Sequence, residues 1–506
     1  MNGKSRMTLS FAVLLVGLFV SVRTVSAQQR EEYVPQSCQV GGGPGVYKLS
    51  GQLALKFCEF KHPKDPVDQQ KAYYDFMWQS FIAVNWPHDE SKNAIRGQPN
   101  FKASILDIKG SGKLPVTVWE TYREPEEVFL PPSEWDKYPN WNDPRKVPKP
   151  LPEGVRTLKP YSDSFLEYAT DLNQPDFFPK PTGPLVDQKK GYLWYEVAVN
   201  QAFFTYIKHF KYYDGDRQID AVRASLLDPK AKGGFQRPPF GNEAYLDHLQ
   251  PFAKQGFVDV KAAWRVLKED DHHQRYLHRK ILTKDGVKLL GLVGLHILRW
   301  TPNGPGAFVA STFEHVDNVR VGQPAGHPIP PKGLTPSFNT GSAPTSMQYR
   351  LGFQGKIPTP ITQKTPRKPP DQRKPVSIYR VTDIPSTPKG KSVQDANRVY
   401  QLLLKDSVFS YYELIGTQNK HTGPFRFKTR SDLLRNGHQG PKTGVYSNTS
   451  NLINTALESY TQANHSCIQC HVVAGPQGVP TQAKELDQFR SLTFLLQMAK
   501  KRKKEK

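Results

Sequence analysis

Near one end of the chain stands Cys467-Ile468-Gln469-Cys470-His471, two thiols and an imidazole in a C-x-x-C-H run. That spacing is the attachment signature of c-type haem. On one helical turn, residues three and four apart share a face, so Cys467, Cys470 and His471 can all meet one flat macrocycle. The thiols would add to the vinyl groups as thioethers, and His471 would ligate the iron as its proximal ligand. The competing readings are a zinc knuckle, a thioredoxin-like dithiol and chance. Zinc needs further Cys or His ligands at matching spacing, and the four cysteines of the chain hold no second C-x-x-C. A redox dithiol normally follows a strand of a βαβ unit, whereas a helical pattern precedes this one. The expected cofactor is one covalent haem c.

Haem of this kind asks for export, and residues 1–27 read as a signal peptide. Lys4 and Arg6 give a positive start, Met7–Val22 is an apolar core, and Val25-Ser26-Ala27 is a small-residue cleavage site. An uncleaved anchor is the alternative, for which the apolar run is short. No cysteine follows the cleavage site directly, and no later stretch is long and apolar enough to span a bilayer. The expected location is therefore periplasmic or otherwise extracytoplasmic in a bacterium, with no stable membrane span after cleavage.

Composition fits a folded, basic, exported protein. The 506 residues suffice for two to four domain-sized units, with 37% hydrophobic and 11% aromatic residues and 44 prolines. The formal charge of +23 falls by three when Lys4, Arg6 and Arg23 leave with the signal peptide. Such a balance favours an acidic partner, here an acidic redox protein, and export argues against nucleic acid. The segment Lys500–Lys506 reads as a solvated, disordered basic tail. Cys38 and Cys58 flank Gly41-Gly42-Gly43-Pro44-Gly45, and an oxidising compartment would favour a disulfide between them. Two free buried thiols are the other reading, since spacing alone does not give the geometry a bridge needs.

The elements that must position the motif are mixed in type. Phe76, Ser80, Phe81 and Val84 fall close to helical spacing, and Pro87 is a natural stop. Trp78 and Trp86 belong to the same aromatic stripe and are read as core. Val116–Tyr122 looks like a strand, and Pro131–Pro160 like an irregular surface excursion. Tyr192–Val199 has strand propensity, and Gln201–Phe210 reads as a short helix. Val258–Val266 alternates like a half-buried strand, Leu289–Trp300 is apolar on both faces like a central one, and Ala307–Val319 returns after an Asn-Gly turn signal at Asn303-Gly304. Gly355–Pro375 resembles a linker or crossover in composition. Beyond it, Ser392 with Asp395 forms a capping pair ahead of Ala396, Val399, Leu403 and Leu404. Ile453, Ala456, Leu457 and Tyr460 mark a further helix running towards the haem motif.

The fold class expected is α+β. Residues 28–354 form an antiparallel β-rich body with packed helices, 355–375 a linker, 376–499 a mainly helical haem unit, and 500–506 the tail. Two histidines stand out in the body. His296 interrupts an apolar strand, and His315 lies in Glu314-His315-Val316-Asp317, where carboxylate neighbours can bring a histidine into the neutral pH range. Each is read either as a distal haem ligand or proton-transfer group, or as a buried, hydrogen-bonded histidine on a sheet.

Three stretches resemble large exported bacterial proteins of the cytochrome c family that carry a single C-terminal C-x-x-C-H motif. They are Phe76–Pro87, Thr312–Asn318, and Asn454–Tyr460 leading into Cys467–His471. The resemblance implies haem and an exported location but no settled substrate. In the common small cytochrome c the motif opens the domain, whereas here 35 residues follow His471. The other side of the iron then falls to an upstream residue such as His315 or His296, to the downstream Met498, to water, or to nothing. Cytochrome c′ also carries its motif late, but its four-helix bundle does not suit a chain this rich in strand patterns.

Function follows as a monohaem electron-transfer protein. The alternative is a haem enzyme or a gas- or peroxide-responsive haem protein with an open distal site beside His315 or His296. A non-haem enzyme using the haem as an electron outlet is a third class. No G-x-S-x-G, H-E-x-x-H, P-loop or dinucleotide fingerprint supports it.

Overall fold

The computed structural model describes residues 49, 51, 66–91, 93–144, 151–158, 183–228, 230–231, 233–283, 285–300, 309–319, 335–340, 352–356, 358, 368–381, 383–419, 452, 454–460, 471, 474–479, 489 and 493–502. Residues 1–27, Cys38, Cys58, Cys467, Cys470 and the expected Asn303-Gly304 turn lie outside them. In chain order the principal elements are α1 (Pro66–Val84), β1 (Val155–Thr157), β2 (Trp194–Val199), α2 (Gln201–Phe210), α3 (Gly215–Leu227), β3 (Val258–Val266), β4 (His278–Thr283), β5 (Gly286–Arg299), β6 (Val309–His315), β7 (Phe353–Gln354), β8 (Ser377–Ile378), α4 (Val393–Leu403) and β9 (Tyr412–Asn419). The chain is α+β, as expected.

Seven strands form one sheet with β5 at its centre. One edge of β5 pairs with β3. The other edge is divided, β4 taking Gly286–Gly291 and β6 taking Gly294–Arg299. Outside these, β2 pairs antiparallel with β3 and β9 antiparallel with β6, while β1 runs parallel to β4. The sheet is thus mixed rather than purely antiparallel. A parallel pair needs a long crossover, which the chain between β1 and β4 supplies.

One face of the sheet carries α1 and α4. Tyr73, Phe76, Met77, Trp78, Phe81 and Ile82 of α1 are all buried, so the helix is apolar on nearly every side, as an enclosed helix is. Phe313 of β6 stacks on Phe81 at 4.3 Å and meets Trp78 edge-on at 5.0 Å. Arg299 donates to Ser80 Oγ at 2.8 Å, with its guanidinium 4.6 Å from the Phe76 ring. Ser392 and Asp395 form the expected capping box, and Asn397 of α4 joins the layers by accepting from Trp78 Nε1 and from Leu414 N.

Several sequence expectations change here. Val116–Tyr122 is not a strand. Thr117 donates from both N and Oγ1 to Glu120 Oε2, at 2.9 and 2.8 Å, and this local bond gives a 3-10 turn over Trp119–Thr121 in competition with a ladder. Pro131–Pro160 is not a surface excursion. Trp135 and Trp141 are buried, with indole N–H groups on Leu130 O and Arg96 O, and β1 joins the sheet.

The expected division into a body and a separate helical unit also fails. β9 lies beyond residues 355–375 yet completes the sheet of the body, because its register with β6 buries Leu414 and Thr417. The described part of 355–375 is tied down too. Arg373 donates to Lys190 O at 3.1 Å and lies 4.2 Å over Tyr192. Residues 500–502 are likewise fixed rather than disordered: Lys500 exchanges backbone hydrogen bonds with Tyr213 and Gly215, and Arg502 lies over Trp135.

Candidate functional site

The second face of the sheet receives the segments that flank the C-x-x-C-H run. Along a strand, neighbours point to opposite faces, so while Phe313 packs on α1, Thr312 and Glu314 point the other way. Asn454–Tyr460 sits on them. Asn454 Nδ2 donates to Thr312 Oγ1 at 2.8 Å and to Phe313 O at 2.9 Å. Thr455 donates from N and Oγ1 to the two Glu314 carboxylate oxygens, each at 2.6 Å. Arg380 reaches the same carboxylate at 2.7 and 3.3 Å. Gly294 makes room, since a Cβ there would stand 3.0 Å from Asn454 Oδ1.

The three stretches that carried the resemblance therefore form one column through the sheet, α1 below Phe313 and Asn454–Tyr460 above Glu314. Of the helix expected at Ile453–Tyr460, the described residues 454–460 are instead a run of turns. Asn454 Oδ1 accepts from Ala456 N, Glu458 Oε2 accepts from Asn454 N, and Glu458 N donates to Asn454 O at 2.9 Å, so the run is closed as a capped turn.

A polar seam continues across this face. His296 of β5 is paired in register with Lys261 of β3 and Thr312 of β6. Its Nε2 lies 3.2 Å from Glu458 Oε2. Burial pushes the Glu458 carboxyl up, but His296 and Lys261 outweigh it and hold the group below the usual carboxylate range. Two residues before Lys261, Asp259 accepts from Thr493 Oγ1 at 3.2 Å. Burial raises Asp259 to about 7 against the opposing effects of the Thr493 hydroxyl and of Lys261.

Thr493 opens a 3-10 stretch, Phe494–Met498, by capping Leu495 N. The Phe494 ring lies 5.4 Å from the imidazole of His471, which is half-buried in a helical conformation. A glutamine clasp holds both segments to the body. Gln218 of α3 donates to Tyr212 O and Leu496 O and accepts from Gln477 N, while Gln477 donates to Gln497 O and Ala499 O. Gly478 (φ +82°) fits against Ile219, where a Cβ would meet Cγ1 at 2.8 Å.

The other sequence candidates separate cleanly. His315 is buried against Tyr276, ring centroids 3.9 Å apart. Its Nδ1 accepts from Asp317 N at 3.1 Å, so Nε2 carries the proton and donates to Arg275 O at 3.0 Å. Both nitrogens are engaged, and burial lowers the group to about 4. His315 is a structural histidine, with no lone pair left for iron. Met498 is half-buried and packs against the main core. The sequence reading missed Asp259, Lys261, Glu458 and Thr493. The first two were visible only as the polar positions of an alternating strand.

The described residues fit a haem in one respect that matters. A macrocycle brings four donors of its own and asks the protein for an axial imidazole beside apolar walls, and His471 stands beside the buried Phe494. Among the described residues no three His, Cys, Asp or Glu side chains gather as a metal cluster, and none of their helices is long and apolar enough to cross a membrane. No family model, no curated protein and no solved structure matches the chain.

Proposed function

We propose that the chain is an exported monohaem c-type cytochrome acting in electron transfer. Cys467 and Cys470 hold the haem, His471 is the axial ligand, and an acidic redox protein is the partner. The observation that supports this most is the seat of His471. The last residue of the C-x-x-C-H run is half-buried with its ring against Phe494, in a strap clasped to the body through Gln218 and Gln477. When bound, the haem supplies a one-electron iron couple. The protein's own residues wall it from water and fix the imidazole. The open-site reading draws less support, because His315 has both ring nitrogens engaged and His296 faces Glu458.

The test is expression of the full chain in an exporting host with haem c maturation, then a pyridine haemochrome spectrum after denaturation. Covalent haem should survive denaturation in the wild type and be lost in the Cys467→Ser/Cys470→Ser double variant. His471→Ala should keep the thioethers and lose the native low-spin spectrum. Absence of covalent haem in the wild type, or an unchanged spectrum in His471→Ala, would overturn the reading.

A further inference from the structure

Buried and half-buried carboxylates in this protein are usually matched with a cation. Glu120 has Arg279 and Arg156, Glu196 has Arg156, Asp187 has Arg265, Asp317 has Arg275, Glu314 has Arg380 and Glu458 has His296. Asp259 departs from that pattern. It is half-buried on the sheet face under the C-terminal strap, and among the described residues its carboxylate is held by one neutral donor, Thr493 Oγ1. Its cross-strand neighbours are Val199 and Leu298, both apolar. Lys261, the next residue along the same face, favours the charged carboxylate through space, but burial outweighs it; its ammonium lies 5.9 Å over the Tyr195 ring and also acts on Glu458.

The position of that carboxylate gives it a role. Thr493 precedes Phe494, whose ring lies against His471, so Asp259 is separated from the proposed iron ligand by one strap. A charge change at the iron is felt across such a short, partly desolvated path more strongly than through water. Farther along this face, on β6 and β9, Glu314 and Glu413 share Arg380. Nearer Asp259 the charged groups are Lys261, His296 and Glu458, with His471 across Phe494. The last three are engaged in a pair or in the strap, so Asp259 is the carboxylate next to the strap that carries no ion pair among the described residues.

We propose that Asp259 is a redox-coupled proton site: when one electron from the redox partner reaches the haem, the Asp259 carboxylate takes one proton from solvent, and it returns that proton when the electron leaves. The balance is one electron and one proton in, one carboxylate neutralised and one ferric iron reduced to ferrous. The inference rests on the haem c reading. Its elevated proton affinity, about 7, puts the exchange near neutrality, and its half-buried position leaves a route for the proton.

The experiment is a spectroelectrochemical titration of the full-length, haem-loaded protein at a series of pH values from about 5 to 9. The wild-type midpoint potential should fall as pH rises through neutrality, because proton uptake stabilises the reduced form. Asp259→Asn should give a potential independent of pH over that range. Thr493→Val removes the hydroxyl that favours the charged carboxylate and should move the inflection to higher pH, which keeps the test open if Asp259→Asn fails to fold. A flat wild-type profile on protein with covalent haem would overturn this inference alone, as would a wild-type slope retained in Asp259→Asn. Absence of covalent haem would overturn the functional reading, and this inference with it.

Discussion

Burial keeps His315 neutral, outweighing Asp317 and the hydrogen bond to Arg275 O and lowering it from an ordinary 6.5 to about 4, and this makes the residue a stability element with a definite sign. The folded state binds the proton less readily than the unfolded chain. The contribution is therefore fully present above about pH 6.5 and is lost as pH falls towards 4. Glu120 works in the same sense at lower pH. Burial opposes its charge, but Arg279 and Arg156 bring it down to about 2, so its contribution fades between its ordinary 4.5 and that value. Thermal melts across pH 7 to 4 should show the first loss. In His315→Asn the melting temperature should start lower at pH 7 and fall less over the interval. An equal fall in both proteins would remove His315 from this role. Its place beside Glu314 and Asp317 was plain in the sequence. That both nitrogens are consumed was not, because Arg275 and Tyr276 come from a separate stretch.

At the scale of elements, the seat of Asn454–Tyr460 on β6 is the contact that joins the segment before the C-x-x-C-H run to the sheet. Thr455→Val removes one hydroxyl from a buried carboxylate and should cost about 1–2 kcal/mol, with Thr455→Ser close to wild type. Glu314→Gln strands the Arg380 charge and should cost about 3–5 kcal/mol. Denaturant unfolding measures both, and a Glu314→Gln loss no larger than that of Thr455→Val would contradict the arrangement. Elements with strong period or capping signals were legible. Gln201–Phe210, Val258–Val266 and the Ser392–Asp395 cap stand where the sequence put them. One failure has a local cause. At Thr117–Glu120 a carboxylate bonds a nearby backbone donor and hydroxyl, and a hydrophobic pattern does not reveal that competition.

For the molecule as a whole, β9 decides how many cooperative units there are. It pairs with β6 and packs beside α4, and α4 in turn packs on α1 through Trp78 and Tyr400, stacked at 5.2 Å. A composition break at 355–375 suggested two units, since linkers and long crossovers share a Pro-, Lys- and Arg-rich character. Calorimetry of the full chain should give one cooperative transition for the described core, and fragment 28–354 alone should not fold, having lost β9 and α4. Two separated transitions, or a folded fragment, would restore the two-unit division. The motif at Cys467–His471 was legible throughout. The seam of Asp259, Lys261, His296 and Glu458 was not, because cross-strand register gathers it from distant parts of the chain.

The helix α1 has a history as well as a place. It emerges early, apolar on nearly all sides, yet the partners that cover it arrive hundreds of residues later. Gln70, near its start, bonds Thr417, 347 residues away. At ordinary rates of synthesis that interval is on the order of tens of seconds, long compared with the collapse of a small chain. Through it, Phe76, Met77, Trp78 and Phe81 stand without their final neighbours, and such non-local closure makes for slow folding. The aromatic richness that gives the finished core its density thus makes the nascent chain sticky. The hazard of aggregation is concentrated in the interval before β9 arrives.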